Sequence, residues 1–79
     1  MIVLKMGACE PYVRDLQQML NLKVTAQPLL RVDGIFGPKT RDRVVKFQTD
    51  YQLAVDGVVG PVTAKALVAA VLMATLRRR

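Results

Sequence analysis

The sequence predicts an all-α domain, a three-helix bundle built on a repeated unit of Asp-Gly turn plus helix. Three observations carry this. Val32-Asp33-Gly34-Ile35-Phe36-Gly37-Pro38-Lys39-Thr40 recurs 23 residues later as Val55-Asp56-Gly57-Val58-Val59-Gly60-Pro61-Val62-Thr63, with valine, aspartate, both glycines, proline and threonine identical at one offset. Such a match in a chain of 79 residues reads as an internal duplication. Apolar residues between and after the turns recur at helical spacing. The composition, 52% hydrophobic with only 5% aromatic, suits a small helical core packed by Leu, Val and Ala.

The elements follow in order. Residues 1–9 read as extended or irregular, with Val3 and Leu4 placed to dock on the core. Glu10-Pro11 opens helix one, because proline at the first helical position gives up an N–H that has no partner there. Val13, Leu16 and Leu20 form one face, widened by Tyr12 and Met19, and the helix is expected over Pro11 to Asn21. Residues 22–37 form a long connection. Gln27-Pro28 disfavours helix there, and Leu29, Leu30 and Val32 are expected to fold back over the core.

Helix two is expected to start at Pro38, with Gly37 as its cap and Thr40, Val44, Phe47 and Tyr51 on one stripe. Lys39, Arg43 and Lys46 fall on the opposite side. The second turn unit leads to helix three at Pro61, capped by Gly60. Thr40 and Thr63, at the third helical position, are placed to reach back to their loops. Helix three carries no charge from Ala66 to Leu76, too short a run for a transmembrane segment, which needs about 20 apolar residues. Arg77, Arg78 and Arg79 then suit a helix C-terminus.

Composition narrows the chemistry. Cys9 is the single cysteine, so neither an internal disulfide nor a cysteine-based zinc site is available. The absence of histidine removes the commonest metal ligand and general base, and no metal, cofactor or catalytic residue is expected. The six acids are Glu10, Asp15, Asp33, Asp42, Asp50 and Asp56. Two lie in turns and most others beside basic residues, a poor arrangement for a two-carboxylate hydrolase. The net charge of +6 favours anionic partners. Nucleic acid is not expected, since no aromatic interleaving or nucleic-acid motif accompanies the basic face of helix two.

The motifs together resemble the peptidoglycan-binding domain-like family. Val13-Arg14-Asp15-Leu16-Gln17-Gln18-Met19-Leu20-Asn21 is similar to its V-x-x-L-Q-x-x-L-N opening. Val32 to Thr40 resembles its D-G-x-F-G-P-x-T centre. Val44-Val45-Lys46-Phe47-Gln48 resembles its A-V-x-x-F-Q, and Leu53 to Thr63 its closing L-x-V-D-G-V-V-G-P-x-T. The resemblance runs from Gly7 to Leu67, in order and in spacing. It implies a non-catalytic peptidoglycan (murein) module that anchors cell-wall enzymes, as in autolysins, amidases, spore-cortex enzymes and phage endolysins. A related module in matrix metalloproteinase pro-segments does not anchor to a wall, so fold follows more firmly than ligand. Departures are Glu10 in place of a glycine, Arg43 in place of alanine, no aromatic after Thr63, and twelve residues beyond Leu67. The expected organisation is one domain over 1–79, with its core in 7–67 and an apolar helical extension over 68–79.

Peptidoglycan offers N-acetyl groups, sugar hydroxyls, peptide amides and carboxylates. The expected groove uses Asp33, Gly34, Phe36, Thr40, Arg43 and Gln48, with Gln17 and Tyr51 as further candidates. Each has a structural alternative: Phe36 as core, Asp33 as turn former, and Gln17 and Gln48 as partners of loop backbone. The expected partners are bacterial peptidoglycan and a catalytic cell-wall hydrolase domain. The alternative function is an interaction or assembly module of a phage or secretion apparatus, whose apolar helix three either pairs with its own copy through Leu67, Val71, Leu72 and Leu76 or docks on a partner. Action is expected at the bacterial wall or periplasm. The start, Met1 to Met6, lacks a secretory pattern, so delivery is expected by a phage, by an apparatus, or within a larger protein.

Overall fold

The computed structural model describes residues 3–24 and 28–77, and the expectations for Met1, Gln27, Arg78 and Arg79 lie outside them. Three helices follow in order: α1 (Pro11–Lys23), α2 (Pro38–Asp50) and α3 (Pro61–Arg77). All three open on the proline that marks them in the sequence. Gly37 caps α2 with extended backbone and no side-chain bond. The carbonyls of Gly37 and Gly60 accept the first helical bonds, from Arg41 N–H at 3.0 Å and Ala64 N–H at 2.9 Å. No helix among the described residues is long and apolar enough to cross a membrane.

The core is Leu4, Val13, Leu16, Leu20, Val24, Leu30, Phe36, Val44, Phe47, Val59 and Leu67, with α1 packed against both other helices. Burial of Leu20 and Val24 one turn apart carries α1 two residues past the expected Asn21, and Val24 N–H still bonds Leu20 C=O at 2.7 Å. The duplication is visible in the core as well. Phe36 and Val59 are counterparts 23 residues apart, both are buried, and the N-terminal segment pairs with both. Leu4 and Val59 exchange N–H to C=O bonds of 3.1 and 2.8 Å. Gly7 N–H donates to Phe36 C=O at 3.0 Å, and Phe36 N–H donates to Ala8 C=O at 2.9 Å. Residues upstream of α1 therefore stitch the two turn units together, and Leu4 extends the core beyond the expected lower limit at Gly7.

Several side chains depart from expectation. Val3 and Leu29 point to solvent while their neighbours Leu4 and Leu30 are buried, as alternation in extended backbone requires. Tyr12 is exposed at the rim of the α1 face. Tyr51 is 41% exposed because α2 ends at Asp50; its ring stacks on Phe47 with centroids 4.3 Å apart. Leu67, expected on a pairing face of α3, is instead in the core. Beyond it the helix runs on with Val68, Leu72, Met73 and Leu76 about half exposed, and Val71 partly covered.

The basic stripe of α2 is dispersed. Arg41 lies over Gly57, Arg43 donates to the carbonyl of Pro28, and Lys46 pairs with Asp50 at 3.3 Å. These three cations thus have local roles and only Lys39 of the stripe stays without one among the described residues, which leaves α2 without a continuous strip for tracking a phosphate backbone.

The close of α2 uses two bonds of a Schellman turn: Leu53 N–H to Gln48 C=O at 2.8 Å and Gln52 N–H to Thr49 C=O at 3.2 Å. Gln52 sits at the left-handed position, φ 57°, where glycine is usual. Gly57 has φ +71°, and a Cβ there would lie 3.0 Å from Arg41 Nε. Opposite effects are expected from two substitutions. Gln52→Gly relieves left-handed strain against a freer unfolded chain, for a gain of ~0.5 kcal/mol or ~3 °C. Gly57→Ala costs ~1–2 kcal/mol. Thermal unfolding followed by circular dichroism measures both, and a Gly57→Ala protein as stable as the parent would contradict the assignment.

Candidate functional site

Each repeat is locked by one buried glutamine from the helix before it. Gln17, on α1, is 1% exposed, and Gln48, on α2, has no exposed surface. Gln17 Nε2 donates to Asp33 Oδ1 and Ile35 C=O, both at 3.0 Å, and to Thr40 Oγ1 at 3.1 Å. Its Oε1 accepts from Gly34 N–H at 3.0 Å. Gln48 repeats the pattern: Nε2 to Asp56 Oδ1 at 2.9 Å, and to Val58 C=O and Thr63 Oγ1 at 3.0 Å. Gln48 Oε1 accepts from Asp56 N–H at 3.2 Å and Gly57 N–H at 3.0 Å. Only a primary amide supplies both donors and an acceptor on one planar head, so the buried site selects glutamine. The threonine hydroxyls meet this amide rather than their own loops.

The aspartates close the turns from outside. Asp33 Oδ1 accepts from Ile35 N–H at 3.0 Å and Asp56 Oδ1 from Val58 N–H at 2.9 Å, in Asx-turn geometry. These backbone bonds, and next the glutamine amides, hold both carboxyl groups below the ordinary aspartate range. In each case Oδ1 carries both bonds, and among the described residues no donor bonds Oδ2.

Around the first turn lies an open groove of about 410 Å³ lined by Gln17, Leu30, Arg31, Asp33, Ile35, Gly37, Pro38, Lys39 and Thr40. A second, of about 260 Å³, lies around the other turn and is lined by Leu53, Ala54, Asp56, Val58, Gly60, Pro61, Val62 and Thr63. The first offers an acceptor in Asp33, cations in Arg31 and Lys39, and an apolar wall in Ile35 and Pro38. A polar, amide-bearing polymer needs those groups in a shallow site.

A sequence-family profile described as "Putative peptidoglycan binding domain" matches residues 10–67. The chain belongs to this family. Within it, the chain is 38% identical over 69 residues to a probable N-acetylmuramoyl-L-alanine amidase of Bacillus licheniformis, covering 87% of this chain and 20% of the relative. It is 42% identical over 50 residues to a zinc D-Ala-D-Ala carboxypeptidase of Streptomyces albus G, covering 58% of this chain and 20% of the relative. The chain therefore spans about a fifth of the length of these curated relatives. Among solved structures, the SleB N-terminal domain superposes with a TM-score of 0.77 at 36% identity, over 87% of this chain and 92% of that one. A peptidoglycan-binding protein from Clostridioides difficile, in complex with glutamine hydroxamate, gives 0.76 at 36% identity, over 84% of this chain and 40% of that one.

In this peptidoglycan-binding fold, the residues singled out from the sequence divide into two sets. Gln17, Asp33 and Thr40 come together at the first groove, and Gly34 borders an adjoining hollow with Asp33 and Ile35. Phe36 is buried in the core, Gln48 is enclosed in the second repeat, and Arg43 turns to Pro28. Tyr51 lies beside Ala66 and Ala70 of α3. Arg31, Ile35 and Lys39 line the groove but were not singled out for it. The signal that finds them is their place in or directly before the repeated stretch, at positions where the copies differ.

The turn carboxylates impose a pH dependence. Their folded pKa lies below the unfolded one, so their stabilisation is complete above the unfolded value and is lost as pH falls through the folded one. Melting temperature is expected to lose this contribution only from about pH 4 downward. Asp33→Asn/Asp56→Asn should flatten that acid limb. A double variant tracking the parent between pH 5 and pH 2 would contradict it.

Proposed function

We propose that this chain is a non-catalytic peptidoglycan-binding module that holds a cell-wall hydrolase, bacterial or phage endolysin, at its substrate, acting at the wall with the first groove as contact. The observation that carries the proposal is the family match over residues 10–67, with relatives named as an amidase and a carboxypeptidase. The groove chemistry supports it: Asp33 Oδ2 can accept from an amide N–H, Arg31 and Lys39 can meet carboxylates, and Ile35, 58% exposed, can face an acetyl or alanyl methyl. A non-catalytic role is supported by the carboxylates at the grooves, whose pKa values are lowered rather than raised toward general-acid duty. Co-sedimentation with purified sacculi over a salt series tests the proposal. Retention is expected to persist at high salt, where simple charge attraction is screened. Ile35→Ser is expected to weaken it ~3–10-fold with helicity unchanged, the loss of one exposed apolar contact. Absence of sedimentation with sacculi in every buffer would overturn the reading.

A second reading concerns α3, which carries Val68, Leu72, Met73 and Leu76 half exposed and no charge between Lys65 and Arg77. An apolar helical stripe of this kind marks an interaction site, and this reading assigns it to a second copy of the chain. Light scattering is expected to give a dimer mass that Leu72→Lys/Leu76→Lys reduces to a monomer. A monomer at all concentrations for the parent chain would remove this reading.

A further inference from the structure

The structure holds an internal comparison that bears on ligand class. Every position lining the second groove is the counterpart, 23 residues on, of a position lining the first. Aspartate faces both. The charge differs: Arg31 and Lys39 of the first groove are Ala54 and Val62 in the second. The first groove thus carries two cations against one carboxylate, and the second carries the carboxylate of Asp56 alone. Because the second copy folds the same turn and the same helix start with alanine and valine, the scaffold does not require the cations. Both are exposed, and among the described residues neither is in an ion pair.

We propose that Arg31 and Lys39 are specificity-determining residues that make the first groove select a free carboxylate of the wall polymer, while the second groove, with inverted charge, excludes it. This deepens the peptidoglycan reading and rests on it. Two cations flanking one site raise local anion occupancy. Asp33 is already committed through Oδ1 to its turn, so a ligand carboxylate meets the cations, and a neighbouring peptide N–H can meet Oδ2. Ala54 and Val62 leave the second groove only uncharged surface beside Asp56, which repels an anion and admits neutral groups.

The test uses the whole chain and two preparations of the same sacculi, one native and one with its free carboxylates converted to amides. The parent is expected to bind native sacculi about tenfold more tightly than amidated ones, the scale that two solvent-exposed charge contacts supply. Arg31→Ala/Lys39→Val, which writes the second groove into the first, is expected to bind both preparations at the lower level. Adding Ala54→Arg/Val62→Lys to that variant should restore the preference. Lys5→Ala/Lys65→Ala removes the same net charge from exposed positions outside both grooves and should leave the preference intact. Equal binding of the parent to both preparations would overturn the proposal and leave the peptidoglycan reading standing, as would equal losses from both charge-removing pairs. Failure of the parent to bind either preparation would overturn the peptidoglycan reading and this one together.

Discussion

A single buried amide per repeat is the constraint from which the rest of the structure follows. Gln17 and Gln48 each reach from one helix into the turn that starts the next, and there bond the turn aspartate, a backbone carbonyl, the turn glycine N–H and a threonine hydroxyl. A buried amide left without partners costs more than a satisfied one contributes, so the turn is held in one geometry or the core is penalised. In a domain of this size the core is small, and such locks add specificity to it. They also fix the two grooves, because the same turn that satisfies the amide presents the aspartate and the first helical turn to solvent.

Duplication gives the fold its economy and its asymmetry. The N-terminal segment bridges the counterparts Phe36 and Val59 and so ties the two turn units together. Their surroundings differ. A long connection, pinned by paired bonds between Asn21 and the backbone of Leu30, precedes the first turn, and a Schellman close of α2 precedes the second. The first unit carries the long cations Arg31 and Lys39 at its rim, where the second has the short, uncharged Ala54 and Val62.

The helix starts were legible because proline at the first helical position is a local signal, and α1 and α2 were legible because their apolar residues keep helical spacing. The fold class and family followed from motifs whose spacing is local. What the sequence did not disclose was set by long-range contacts. Nothing near Gln48 says that it is enclosed, since its partners lie eight to fifteen residues on and become neighbours only when the turn forms. The α2 stripe was read one residue too far, because Tyr51 keeps the period but falls after the helix has ended. Arg43 was placed in the groove from its motif position, yet its guanidinium reaches the Pro28 carbonyl. Ile35 and Arg31 were not assigned to the groove, and Lys39 was read only as part of the basic face of α2, because the repeat is recognised by its identities while the groove is distinguished by positions where the copies differ.

The central claim is that a glutamine-locked turn builds the site and that the first copy is the one used. Amide-resolved nuclear magnetic resonance during titration with a soluble peptidoglycan fragment tests it most directly. The account expects shifts confined to residues 30–40 and the Gln17 side-chain amide, with residues 53–63 and the Gln48 amide unmoved. Shifts centred on the second turn or on α3, with the first turn silent, would contradict it.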